Sequence, residues 1–325
     1  MKDKTKSEVP EPPAEPQKFA MDRRCFLKAG AGTVAAAAGA AGALAAGVLE
    51  PLLSLKDGPS ISELLQQHYT RLTPDMMDQI LRRIEREIAR DYGAAVEVKD
   101  YKPISGVEFA YALDLGRCKG LRRCVYACMK ENNVPLDHPE MAYIRVIEMD
   151  IDSLDLEKGD VLFTTNPVPK EGKYYMPIQC HQCRKPPCTK VCPVQATWTD
   201  PDGVTVVDYN WCIGCRYCMA ACPYEARRFN WAKPVLPAEQ INPNMSYLGN
   251  RIRLRGVVEK CHFCLQRTRQ GKNPACVEAC PTGSRIFGNV LDPEGKIQYI
   301  LKHKRVYILK AEAGTIPRFY YFYDV

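Results

Sequence analysis

Fifteen of the sixteen cysteines in this 325-residue chain fall into four tight runs, so any fold must gather those thiols into a few small spaces. The first run is Cys118, Cys124 and Cys128, with Leu121 between the first two. The second is Cys180, Cys183, Cys188 and Cys192, followed by Pro193. The third is Cys212, Cys215, Cys218 and Cys222, followed by Pro223. The fourth is Cys261, Cys264, Cys276 and Cys280, followed by Pro281. Gaps of two and three residues place sulfurs along one turn or short helix, which suits metal ligation better than disulfide bridges.

The third run reproduces, without deviation, the C-x₂-C-x₂-C-x₃-C-P spacing that wraps cubane iron–sulfur clusters. In a two-cluster protein of this kind the first three cysteines of a run hold one cluster and the fourth crosses to the other. That rule assigns Cys180, Cys183, Cys188 and Cys222 to one [4Fe–4S] site, and Cys212, Cys215, Cys218 and Cys192 to its neighbour. Cys261, Cys264, Cys276 and Cys128 make a third [4Fe–4S] site. Structural zinc also uses C-x₂-C pairs, but rarely with x₃-C-P endings in repeated fours.

The remaining site has ligand positions 118, 121, 124 and 280, and position 121 is leucine, which cannot bind iron. A [3Fe–4S] cluster on Cys118, Cys124 and Cys280 is the expected outcome. A cubane with water or another side chain at the open iron, and an empty site, are the alternatives. The expected cofactors are therefore three [4Fe–4S] clusters and one [3Fe–4S] cluster.

The segments around the runs suggest an α+β chain built from two interleaved bacterial-ferredoxin-like (dicluster) units, with an N-terminal helical extension. Residues 105–145 and 255–290 form discontinuous unit A, and 146–254 form unit B. Before them, 49–104 is the extension: Thr73-Pro74-Asp75 reads as a cap, and Met76, Ile80, Ile84 and Ile88 recur at helical spacing, which predicts a helix over 74–92. Val107, Phe109, Tyr111 and Leu113 predict a strand running into the first run, and 203–208 a strand running into the third. Residues 291–325 read as hairpin-like material, with Lys296-Ile-Gln-Tyr-Ile as a strand and the aromatic tail from Phe319 as a packed edge or subunit contact. Met129 stands where the other runs have proline, a departure that leaves the exit geometry of the first run open.

Residues 1–48 read as a twin-arginine export signal or anchor: Arg23-Arg24-Cys25-Phe26-Leu27-Lys28, then an Ala/Gly-rich, weakly apolar stretch with a cleavage-like Ala43-Leu44-Ala45. Both cleavage and an uncleaved anchor remain open, and Cys25 is assigned no function. That pathway moves folded proteins, so cluster insertion would precede export to the periplasmic face of the cytoplasmic membrane. The formal charge of +7 would invite an anionic partner, but it counts the cysteines as neutral. Each oxidised cluster with its thiolates carries about −2, so basic residues beside the runs, such as Arg117, Lys119, Arg122, Arg123, Arg184, Lys185 and Arg216, are expected to offset cluster charge rather than bind nucleic acid.

The stretch from Glu259-Lys260-Cys261 through Cys276-Val-Glu-Ala-Cys280-Pro281 to Gly288, and Cys222-Pro-Tyr-Glu-Ala-Arg-Arg-Phe-Asn-Trp231, resemble four-cluster electron-transfer subunits. These are the iron–sulfur subunits of polysulfide, tetrathionate and dimethyl sulfoxide reductases, formate dehydrogenases, the sulfate-reducer transmembrane complexes and alternative complex III. The resemblance covers roughly residues 105–290. It implies relay of electrons between an integral membrane quinone-binding subunit and a peripheral molybdopterin-type subunit or multihaem cytochrome c, with no small-molecule substrate and no catalytic residue on this chain. His181 and His262 lie inside cluster loops, where hydrogen bonding is the expected role. Two alternatives stay open: the electron-transfer subunit of a periplasmic hydrogenase, and an enzyme whose open-coordinated cluster binds substrate.

Overall fold

A computed structural model describes residues 72–153, 155–161 and 167–324, all within the compact unit Ser60–Val325. Residues 1–48, read above as a twin-arginine signal or anchor, lie outside the described residues. The first described element is α1 (Pro74–Tyr92). The Thr73 side chain accepts a hydrogen bond from the Met76 N–H, and Gly93, left-handed at φ 66°, ends the helix. Ile84 and Ile88 are buried against Val98, Leu236, Ile241 and Met245, so the apolar stripe is covered by the chain's own body. The short β1 (Glu97–Lys99) runs parallel to residues Asn244–Ser246.

From there the cysteine runs set the architecture. β2 (Phe109–Asp114) leads into the first run, and α2 (Arg123–Glu131) carries Cys124 and Cys128. β3 (Arg145–Asp150) leaves that run, with β4 (Asp160–Val161) on one side and β5 (Lys173–Ile178) antiparallel on the other. β5 leads into the second run, where α3 (Pro187–Lys190) carries Cys188, and β6 (Thr197–Thr199) leaves it. β6 pairs antiparallel with β7 (Thr205–Val207), which leads into the third run and to α4 (Tyr217–Ala220), carrying Cys218.

β8 (Arg227–Phe229) leaves the third run, and β9 (Asn244–Ser246) is the partner of β1. β10 (Val258–Lys260), antiparallel to β8, leads into the fourth run. There α5 (Leu265–Thr268) occupies the insertion between Cys264 and Cys276, and α6 (Ala275–Glu278) carries Cys276. β11 (Arg285–Asn289) then pairs antiparallel with β2. Each strand leaving a run thus pairs with the strand leading into the next, and the last pair closes the ring. Within this ring α2 packs on α6 and α3 on α4.

The C-terminal segment departs from expectation twice. Lys296–His303 is a helix, α7, not a strand. Ile297 and Ile300, three apart, are buried against Ala110, Ala112 and Phe322, so the helical period governs a stretch too short to reveal it. After β12 (Val306–Tyr307), the aromatic tail forms β13 (Phe319–Phe322), which lies between β2 and β12 rather than at an edge. Phe319 stacks on Tyr111 with ring centroids 4.8 Å apart and planes 4° apart, so the tail completes the core around the first run. With α7 on one face and this aromatic layer on the other, β2 is buried at all six positions, which is why its sequence does not alternate cleanly. Among the described residues no helix is long and apolar enough to cross a membrane.

Candidate metal centres

The four runs share a backbone device. The residue two past the first cysteine of each run is left-handed: Gly120 (φ 68°), Gln182 (φ 45°), Gly214 (φ 77°) and Phe263 (φ 54°). The turn aims backbone N–H groups inward, and those of Gly120, Gly214 and Phe263 favour the thiolates of Cys118, Cys212 and Cys261. At two positions only glycine fits, since a Cβ would lie 2.4 Å from the Tyr175 ring at Gly120 and 2.3 Å from the Gly256 carbonyl at Gly214.

A second left-handed residue lies three past the last cysteine in the other three runs: Gln195, Glu225 and Gly283. The first run lacks it. Without a proline after Cys128, α2 runs on to Glu131 with Met129 buried and is nine residues long, whereas α3, α4 and α6 are four residues each. The exit of the first run, left open by its sequence, therefore differs from the other three.

These loops bring the predicted ligand sets together. Cys118, Cys124 and Cys280 line one cavity with Leu121. Cys128, Cys261, Cys264 and Cys276 line a second, and Asn132 Nδ2 lies 3.6 Å from Cys128 Sγ and 3.8 Å from Cys264 Sγ, bridging the first and fourth runs. Cys192, Cys212, Cys215 and Cys218 line a third. Cys183 feels the charges of Cys180, Cys188 and Cys222, which places the fourth set together. Three or four thiols around one shared space are the donor set that iron–sulfur clusters take.

The sets adjoin one another through individual thiols. Cys124 of the three-thiol set lies beside Cys276 of the second. Cys261 of the second lies beside Cys180, and Gln179 Nε2 is 3.9 Å from Cys261 Sγ. Cys218 lies beside Cys188. Two of the sets reach the surface: Cys215 is the exposed cysteine among the described residues, and Leu121 is 44% exposed.

Burial pushes the thiols up, to about 11 for Cys124 and about 12 for Cys183 and Cys261, so the chain relies on bound cations to hold them as thiolates. Cys280 goes the other way: burial acts upward, but hydroxyl and backbone donors of Ser284 and Thr282 outweigh it and bring the thiol down to about 7. Burial lowers His181 to about 3, keeping it neutral, with Nε2 3.3 Å from the Tyr321 hydroxyl; His262 Nδ1 accepts from the Leu265 N–H. Both histidines are hydrogen-bonding groups.

Of the basic residues singled out in the sequence, Lys119, Arg122 and Arg123 line the cavity of Cys118, Cys124 and Cys280, and Arg216 lines that of Cys212, Cys215 and Cys218. Arg117 pairs with Asp114 and Asp324, Arg184 with Glu108, and Arg216 lies over the Phe229 and Trp231 rings. Sequence reasoning passed over two fully buried arginines, Arg227 and Arg285, that stand next to the thiols. The signal was present, since each lies five residues after the last cysteine of its run.

Short strand, thiol loop and short helix, repeated four times around paired thiol cavities, define a ferredoxin-like polycluster iron–sulfur protein. Residues 172–240 and 249–290 match the family model described as a 4Fe-4S dicluster domain. The chain belongs to the family of iron–sulfur subunits of membrane-associated reductases. It is 34% identical over 312 residues to a selenate reductase subunit of Mesobacillus selenatarsenatis, covering 92% of this chain and 96% of that protein. It is 40% identical to the Hdr-like menaquinol oxidoreductase iron-sulfur subunit 1 of Archaeoglobus fulgidus, over 61% of this chain and 71% of the relative. It is also 36% identical to the menaquinone reductase iron-sulfur cluster-binding subunit of Nitratidesulfovibrio vulgaris, over 66% of this chain and 88% of the relative.

Proposed function

We propose that this chain is the electron-relay subunit of a membrane-bound quinone oxidoreductase, with no substrate chemistry of its own. One observation carries the reading: the four thiol sets adjoin one another, and two of them reach the surface, at Leu121 and at Cys215. We read them as a row with those two sets outermost. When bound, the clusters supply one-electron chemistry. The chain's residues hold them, bury all four thiols of the set Cys128, Cys261, Cys264 and Cys276, and present one outer set to each of two partners.

The ligand sets are Cys118, Cys124 and Cys280 for a [3Fe–4S] cluster; Cys128, Cys261, Cys264 and Cys276; Cys180, Cys183, Cys188 and Cys222; and Cys192, Cys212, Cys215 and Cys218 for three cubanes. The division into unit A (105–145 and 255–290) and unit B (146–254) follows these pairings. One partner is an integral quinone-binding subunit and the other a molybdopterin-type subunit or multihaem cytochrome. The names of the relatives support the reductase reading over the hydrogenase alternative. Exported by the twin-arginine route, the chain works at the periplasmic face of the membrane.

Purification of the tagged chain from its own membranes tests this. A short-chain quinol should reduce the clusters rapidly in the preparation that retains the polytopic partner, and not in the isolated chain. Equal reduction of both would overturn the relay.

A further inference from the structure

Burying an arginine is costly unless a negative charge and hydrogen-bond acceptors accompany it. Most buried arginines here have carboxylates: Arg253 pairs with Glu259, Arg269 with Asp200 and Asp202, and Arg318 with Glu108. Arg227 and Arg285 are 2% and 3% exposed and have no carboxylate partner among the described residues. One nitrogen of each, Arg227 Nη1 and Arg285 Nη2, is buried and bonds to no nitrogen or oxygen of the chain.

Their positions match. Arg227 follows Cys222 by five residues through Pro-Tyr-Glu-Ala, and Arg285 follows Cys280 by five through Pro-Thr-Gly-Ser. Each opens the strand that leaves its run. Arg285 lines the cavity of Cys118, Cys124 and Cys280, and its Nη1 donates to the Tyr111 hydroxyl at 3.0 Å, which lies 3.4 Å from Cys276 Sγ of the next set. Arg285 Nη1 also donates to Gln179 Oε1 at 2.8 Å. Arg227 lines the cavity of Cys212, Cys215 and Cys218, donates to Thr197 Oγ1 at 3.0 Å, and carries its charge beside Cys188 of the adjoining set.

We propose that Arg285 and Arg227 are positioning residues for the redox pairs: each is the buried countercation shared by the two clusters of its unit, donates its unpartnered N–H to a cluster sulfur, and raises the reduction potential of both. Reduction adds one negative charge to a cluster, and a cation fixed in a low-dielectric interior stabilises the more negative state. The thiols set where each cluster sits and of which type it is, and the two arginines tune the potentials of the two units separately. This inference rests on the four-cluster reading.

Two measurements on the holoprotein test it. With arginine ¹⁵N-labelled at the guanidinium, pulsed EPR of the oxidised wild-type protein should show a ¹⁵N coupling to the three-iron cluster, and Arg285→Lys should abolish it. In EPR-monitored titrations, Arg285→Gln should lower the reduced-to-oxidised ratio of unit A's two clusters by ~tenfold at fixed poise, about 59 mV for one electron, and leave unit B unmoved. Arg227→Gln should do the reverse, and Arg285→Lys should recover part of the shift. Unaltered potentials in both Gln variants, an equal shift of all four clusters, or no wild-type ¹⁵N coupling would overturn the proposal. Should Arg285→Gln lose iron, the wild-type coupling and Arg285→Lys still decide. Iron near 15 per chain with no coupling and no shift rejects this role alone, whereas iron near 8 rejects the four-cluster reading itself.

Discussion

Leu121 and Cys215 occupy the same place in two copies of one loop. Each follows a left-handed glycine, Gly120 at φ 68° or Gly214 at φ 77°, and precedes a left-handed arginine, Arg122 at φ 54° or Arg216 at φ 65°, that starts a short helix. Both lie at the rim of a thiol cavity and both are exposed. The loop of the first run is therefore built to present a ligand and presents a methyl-tipped side chain instead.

The correspondence makes the reciprocal exchange informative. Cys215→Leu should turn the outer cubane of unit B into a second three-iron site, because the backbone around it already tolerates leucine in the first run. Iron should fall by about one atom from about 15 per chain, and the oxidised EPR signal should roughly double. Loss of about four iron atoms with no added signal would show that the two loops are not interchangeable.

Packing of α1 gives a stability test free of the clusters. Ile84 is buried among Val98, Leu236 and Met245, so Ile84→Ala should cost about 2–4 kcal/mol by thermal unfolding. Reversing the charge of Arg82 and Arg86, both exposed, should leave the midpoint within ~0.5 kcal/mol of wild type. A large loss from the charge reversal would mean that the helix is held by something other than its apolar stripe.

Glu108 ties the start of β2 to the second run through Arg184 and Arg318. The hydrogen bond from Arg184 holds the Glu108 carboxyl below its ordinary value of 4.5 despite its partial burial. Its contribution is therefore present above that unfolded value and is lost as pH falls through the lower folded one. Glu108→Gln should destabilise the protein by ~3 kcal/mol at pH 7, since Arg318 is left buried and uncompensated, and the gap from wild type should close below pH 4.5. A gap independent of pH would assign the effect to packing.

The proposed twin-arginine signal makes export testable separately from cluster binding. Arg23→Lys with Arg24→Lys should leave the protein in the cytoplasm with its iron content unchanged. Periplasmic protein at wild-type level would refute twin-arginine dependence.

What could be read in the sequence follows from range. The thiol sets were legible because each run is local and the crossing of the fourth cysteine is a fixed consequence of its spacing. The helix over 74–92 was legible from its cap and its 3.6-residue period. The closed ring of strands was not, since pairing β11 with β2 joins residues more than 170 positions apart. α7 was missed because eight residues give barely two turns of periodicity, and β13 was misplaced because a run of five aromatic residues does not reveal whether one or both of its edges are paired. Arg227 and Arg285 went unnoticed because charge beside a cysteine run reads as surface until burial is known.

The oxidised holoprotein, purified without exposure to air and then oxidised at controlled potential, provides the central measurement. Three cubanes are EPR-silent when oxidised and a three-iron cluster is paramagnetic, so the account requires one such signal integrating to about one spin per chain. That signal should vanish in Leu121→Cys, with iron rising by about one atom, because the new thiol enters a loop already shaped for it. A silent wild-type spectrum, or a signal that survives Leu121→Cys at full intensity, would contradict the assignment of the three-iron site to Cys118, Cys124 and Cys280.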